Sequence, residues 1–148
     1  MDSLFDSDKK NYLDNIDIND IKIKDFRKLK AYELAIEFYD GCLEVSKKYK
    51  FYQRFLTDQL LRSASKIPLQ IAEGNTGLHT RRECYFLTIA LGSLGESQAN
   101  LDMARVSKFI EEKEFNRLDN IAEEIKKLLV AYIRAMLEKI NNEKDGGR

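Results

Sequence analysis

The sequence predicts an all-α protein, an up-down-up-down antiparallel four-helix bundle preceded by an extended N-terminal arm. Three observations carry that expectation. Glycine and proline are sparse, 7 and 1 in 148 residues, so little interrupts a helix. Apolar residues recur at spacings of three and four through four long stretches, the period of a helix with a buried face. Short polar connections join those stretches, and short connections make consecutive helices antiparallel neighbours. At this length the chain forms one domain with room for a real core.

Residues 1–24 read as the arm. Asp, Asn and Ser dominate as far as Asp14, and then Ile16, Ile18, Ile21 and Ile23 nearly alternate with polar residues, which suits extended chain better than helix. The segment is either a disordered tail or an arm laid along a neighbouring surface. The bundle is expected over 25–142 and a frayed tail over 143–148. No signal peptide is expected in residues 1–24, since the first ten carry three Asp and two Lys.

The first helix is expected from Asp25, a candidate N-cap, to the cationic run Lys47, Lys48 and Lys50. Leu29, Tyr32, Ile36, Tyr39 and Leu43 form its seam, and Leu34, Phe38, Cys42 and Val45 widen it. The second helix is expected from Tyr52 to Glu73. Its polar residues Gln59, Arg62, Lys66, Gln70 and Glu73 share one narrow arc, which implies burial on most other sides. Pro68 should kink this helix, with Ser63 and Ser65 placed to satisfy freed backbone groups. Gly74 ends it.

Thr80 with Glu83 reads as a capping box opening the third helix, which continues to about Lys108. Its stretch Cys84–Leu101 holds a single charged residue, Glu96, in 18. On a helical wheel Leu87, Ala90, Leu91, Leu94 and Leu101 make an apolar stripe, while Gly92, Gly95 and Ala99 make a flat strip elsewhere. Such a helix is expected to pack from two directions, within the bundle and against another subunit. Glu96, Gln98 and Asn100 argue against a membrane span. The fourth helix starts near Glu111–Glu114 and carries Leu118, Ile121, Ile125, Leu128, Tyr132, Met136 and Ile140.

Chemistry is sparse. No nucleophile elbow, phosphate loop or metal-ligand spacing is present, and the single histidine, His79, stands on a loop. The expectation is a non-enzymatic protein with no cofactor or metal. Cys42 and Cys84 read as core thiols of a cytoplasmic protein. The polar residue that asks for an explanation is Glu96, read as buried and therefore paired. Counting back across the turn places Arg62 at nearly the same height, and Arg62–Glu96 is the expected structural pair.

Zero net charge conceals an asymmetry. Residues 1–20 hold six Asp and two Lys, 2 − 6 = −4, so residues 21–148 carry +4. That balance permits a nucleic-acid partner without demanding one.

The blocks DFRKLKAYELA, QLLRSASKIPLQIAEG and FLTIALGSLGESQANLDMA resemble, in order, those of the four-helix-bundle proteins encoded within intervening sequences of 23S rRNA genes, the S23 family. The resemblance spans about 25–130 and rests on Gln59–Arg62, Ile71–Gly74 and Gly92–Glu96. Where the family has Asn before IAEG this chain has Gln70. Where the family follows it with an aromatic-Gly-Arg run, this chain has Asn75-Thr76-Gly77, so Arg81 or Arg82 would have to supply that arginine. The resemblance implies a homo-oligomer, typically a pentamer, with a suspected role in RNA binding. It also reaches accessory proteins of the reverse transcriptases in diversity-generating retroelements. Two functions therefore compete: an oligomer binding structured RNA through Lys47, Lys48, Lys50, Arg54, Arg81 and Arg82, and a protein-interaction scaffold with a partner such as a reverse transcriptase.

Overall fold

The structure is a computed structural model and describes residues 24–77 and 79–146. The arm, Lys24 apart, lies outside the described residues. Four α-helices follow, α1 Lys30–Lys47, α2 Arg54–Gly74, α3 Thr80–Val106 and α4 Glu112–Asp145. Each packs against its neighbours in chain order, and α1 closes the ring against α4. Cross-helix pairs set the directions. Ser63 meets Ser97, and Gly74 meets Glu83 and Phe86, so α2 and α3 are antiparallel. Gln98 meets Asp119, and Arg105 meets Glu112, so α3 and α4 are antiparallel as well. Gly41 meets Leu118 while Lys48 meets Glu114, which makes α1 antiparallel to α4. The result is an up-down-up-down bundle.

The helices are more unequal than their patterns suggested, at 18, 21, 27 and 34 residues. Asp25 caps not α1 but a separate 3-10 turn, Phe26–Lys28, by accepting the Arg27 N–H at 3.1 Å. Leu29, extended at ψ 128°, breaks the chain before α1 begins. At the other end α4 stays helical through Asp145, past the expected boundary of the tail. α3 stops at Val106, short of Lys108. There Phe109 N–H bonds to Ala104 O and Lys108 N–H to Arg105 O, the paired closure of a helix whose next residue is left-handed. That residue is Lys108, at φ 59°, where glycine is the usual occupant.

The core is built from the largest fully buried side chains of all four helices, among them Phe38, Leu60, Ile67, Leu87, Leu94, Leu101, Ile125 and Leu129. In α1 the two apolar rows exchange roles. Leu34, Phe38, Cys42 and Val45 face the core, while Ile36 of the expected seam is 43% exposed. The small residues Ala31, Ala35 and Gly41 share the inner side and let α1 approach its neighbours, which decides between two rows of similar hydrophobicity. Pro68 lies inside an unbroken α2. Ser63 and Ser65 donate to the carbonyls of Leu60 and Arg62, so neither serves the Ala64 carbonyl that Pro68 leaves without its usual donor.

Between α2 and α3 the buried interface is partly polar. Ser63, Ser97 and Asn100 are at most 3% exposed. Ser97 Oγ lies 2.9 Å from both Ser63 Oγ and Ser93 O, and Asn100 Nδ2 donates to Glu96 O at 3.0 Å. The two small serines let the backbones approach while their hydroxyls find partners, since a buried hydroxyl without one is costly. The Asn100 Oδ1 is buried without a hydrogen-bond partner among the described residues.

Candidate nucleic-acid interface

The six basic residues singled out in the sequence do not form one patch. Lys47, Lys48, Lys50 and Arg54 surround the α1–α2 connection at one end of the bundle, and Arg81 and Arg82 open α3 at the other. With 27 residues in α3, the two groups stand about 40 Å apart along the bundle. Within the first group the charges are unequal in availability. Lys47 is paired with Glu44 at 2.6 Å and Lys48 with Glu114, whereas no ion pair among the described residues involves Lys50 or Arg54. The hydrogen bonds raise the pKa of both Lys47 and Lys48, so each stays charged while its field is partly cancelled. At the opposite end Arg81 and Arg82 are exposed, and the Arg82 guanidinium lies 5.0 Å from the Phe86 ring centroid.

The α1–α2 connection also carries aromatics whose role the sequence did not disclose. Tyr49 turns inward, its ring 6.1 Å from that of Phe109, and burial pushes its phenol up to about 12. Phe51, Tyr52 and Phe55 turn outward, 85%, 68% and 62% exposed. The segment is held rigidly: Phe51–Gln53 is a 3-10 turn, and the Lys50 N–H donates to Oε1 of the buried Gln53 at 2.8 Å. The signal was present as the run Lys-Phe-Tyr-Gln-Arg-Phe, which interleaves cations with rings, but the alternation alone does not say which rings face out.

The expected buried pair is not formed. The Glu96 side chain is 51% exposed, and its cation is Lys66 at 3.9 Å. Arg62 is exposed as well. The helix pair and height were read correctly, but the face was not. Glu96 falls on the outer side of α3 with Gly92, Gly95 and Ala99, all exposed, while Ser97 and Asn100 turn inward in its place. A Cβ added at Gly92 or Gly95 would meet nothing within 4 Å, so the flat strip is bare surface within one subunit. Leu69 of α2 and Tyr85 and Met103 of α3 are exposed at 63%, 61% and 46%.

Glu83 does not form a capping box with Thr80. The helix begins at Thr80 itself, and the capping position, His79, makes no side-chain cap bond. Glu83 is instead buried, accepting from Asn75 Nδ2 at 2.7 Å and from Lys24 Nζ at 2.9 Å. Its place is made by Gly74, where a Cβ would stand 2.8 Å from the Phe86 Cβ and 3.3 Å from the Glu83 carbonyl. Glu83, Asn75, Lys24 and Asp25 edge a cavity of about 400 Å³ whose apolar lining is Leu29, Leu87, Tyr132 and Met136.

Among the described residues no group of three or more His, Cys, Asp or Glu is placed to hold a metal ion. Both cysteines are buried and free, and none of the described helices is long and apolar enough to cross a membrane.

Residues 27–131 match the family model described as 23S rRNA-intervening sequence protein. A solved structure of similar fold is a protein of unknown function from the S23 ribosomal protein family of Bacteroides thetaiotaomicron. The two share 24% identity over 70% of this chain and 97% of that one, with a TM-score of 0.65. No curated protein matches the chain.

Proposed function

The chain belongs to the 23S rRNA-intervening sequence protein family, and from that membership we propose that it is a non-enzymatic homo-oligomer, a pentamer, that binds structured RNA through its basic bundle ends. The observation that carries the reading is the outer face shared by α2 and α3. It presents Leu69, Tyr85 and Met103 and the bare backbone of Gly92 and Gly95 around the exposed Lys66–Glu96 pair, a flat and largely apolar strip within an otherwise charged surface. Closing that face against another copy buries it and repeats Lys50, Arg54, Arg81 and Arg82 around a ring. Repetition matters because each subunit offers few unpaired cations, and phosphate attraction grows with the number of charges engaged.

Multi-angle light scattering tests the assembly, and a five-subunit mass at micromolar protein is expected. RNA binding is tested by fluorescence anisotropy with a labelled stem-loop across a salt series. The affinity is expected to fall linearly on a logarithmic salt scale as condensed counterions are released. A monomeric mass removes the ring, and absence of binding at low salt leaves a protein-interaction scaffold as the function.

A further inference from the structure

We infer that the α1–α2 connection is a stacking platform for unpaired RNA bases, with Phe51, Tyr52 and Phe55 taking the bases and Lys50 and Arg54 the adjoining phosphates. The inference rests on the RNA reading above and names the kind of RNA this end of the bundle takes.

Three large aromatics within five residues, each more than 60% exposed, are out of keeping with a solvated connection. Their rings enter no aromatic pair among the described residues, whereas Tyr49, two positions before Phe51, is packed on Phe109. The outward rings are therefore not spillover from a crowded core. The segment bearing them is ordered in advance, by the 3-10 turn and the Lys50–Gln53 hydrogen bond, so little entropy is lost when a planar partner settles on it.

Charge selects the partner. Lys50 immediately precedes the rings and Arg54 falls between Tyr52 and Phe55. Neither is engaged by a carboxylate among the described residues, unlike Lys47 and Lys48. Rings interleaved with free cations fit a strand that offers a base and a phosphate at each step, and base–aromatic stacking is tolerant of sequence. A paired helix hides its base faces and would meet only the cations.

Anisotropy titrations with a fluorescein-labelled single-stranded RNA of about 12 nucleotides, and with the same sequence in a blunt duplex, test this. The wild-type protein is expected to bind the single strand more tightly. The triple variant Phe51→Leu, Tyr52→Leu, Phe55→Leu keeps apolar bulk and removes the rings. It is expected to lose roughly tenfold or more in single-strand affinity, with duplex binding and thermal melting unchanged. Phe51→Trp is expected to keep the affinity, and its indole emission should be quenched on titration, in a chain that otherwise has no Trp. Unchanged single-strand affinity in the leucine variant overturns the inference. So does an equal loss on single strand and duplex, and so does a fall in its light-scattering mass, which would make the rings a contact between copies. If the wild-type protein binds neither RNA, the RNA reading itself fails and the platform with it.

Discussion

Cys42 shows how far burial alone can move a side chain's chemistry. It is fully buried in α1, and desolvation of the thiolate pushes its pKa from 9.0 up to about 12, against the opposing charge of Arg117. Two consequences follow at this scale. The native thiol should resist alkylation at neutral pH and react only on unfolding, which iodoacetamide labelling with and without urea would read. A raised acid pKa also means that the unfolded chain loses its proton first. The stability tied to Cys42 is then complete below pH 9.0 and is lost as the pH rises toward about 12. Melting temperatures are expected to fall over that range, and Cys42→Ala should flatten the decline. Glu96 and Ser97 make the complementary case. Glu96→Gln is expected to change stability by no more than about 0.5 kcal/mol, because its pair with Lys66 is long and exposed. Ser97→Ala should cost about 1–2 kcal/mol by leaving the buried polar seam incomplete. Urea denaturation of the two variants distinguishes them, and the opposite ranking would return the structural role to the charge.

At the scale of the helices, glycine separates packing inside the subunit from packing outside it. A Cβ at Gly41 would run into Leu118, itself fully buried, and stand 3.0 Å from a guanidinium nitrogen of Arg117. Gly41→Ala is therefore expected to push α1 from α4 and to destabilise the protein by about 1–3 kcal/mol. Gly95 lies in open space on the outer side of α3. In a lone bundle Gly95→Ala should be stabilising by up to about 1 kcal/mol through helix propensity. In an oligomer that packs on the strip, it should lower the light-scattering mass or weaken assembly on dilution. Helix ends carry a related lesson. The α3 stop was legible to within two residues, but its left-handed residue is a lysine, so no glycine marked it. Glu83 was legible as a first-turn acid, yet its carboxylate left the helix end for Asn75 and Lys24 because Gly74 brings α2 against that turn.

For the whole molecule, direction and charge combine. Lys24 is tied to Glu83, two residues beyond Arg81, at the Arg81–Arg82 end of the bundle, and the sequence before it carries the six Asp of residues 1–20. Deleting residues 1–20 removes a charge of −4 and is expected to raise RNA affinity. The gain should vanish in an Arg81→Ser, Arg82→Ser background and persist when Lys50 and Arg54 are replaced instead, as anisotropy at low salt would show. The sequence by itself determined the number of helices, their order and the α2–α3 pairing, because helical period and short connections are local properties that few arrangements satisfy. It also determined that Leu87, Ala90, Leu94 and Leu101 belong to one face of α3. Only the tertiary structure decided which of two neighbouring faces turned inward. Rotation of a helix by about one residue, 100°, exchanges Glu96 for Ser97 at the interface, and both lie beside apolar residues in the chain. The winning rotation is the one that lets the backbones of α2 and α3 close over Ser63, Ser97 and Asn100. That closure depends on groups 34 or more residues apart, a separation across which no local pattern reaches.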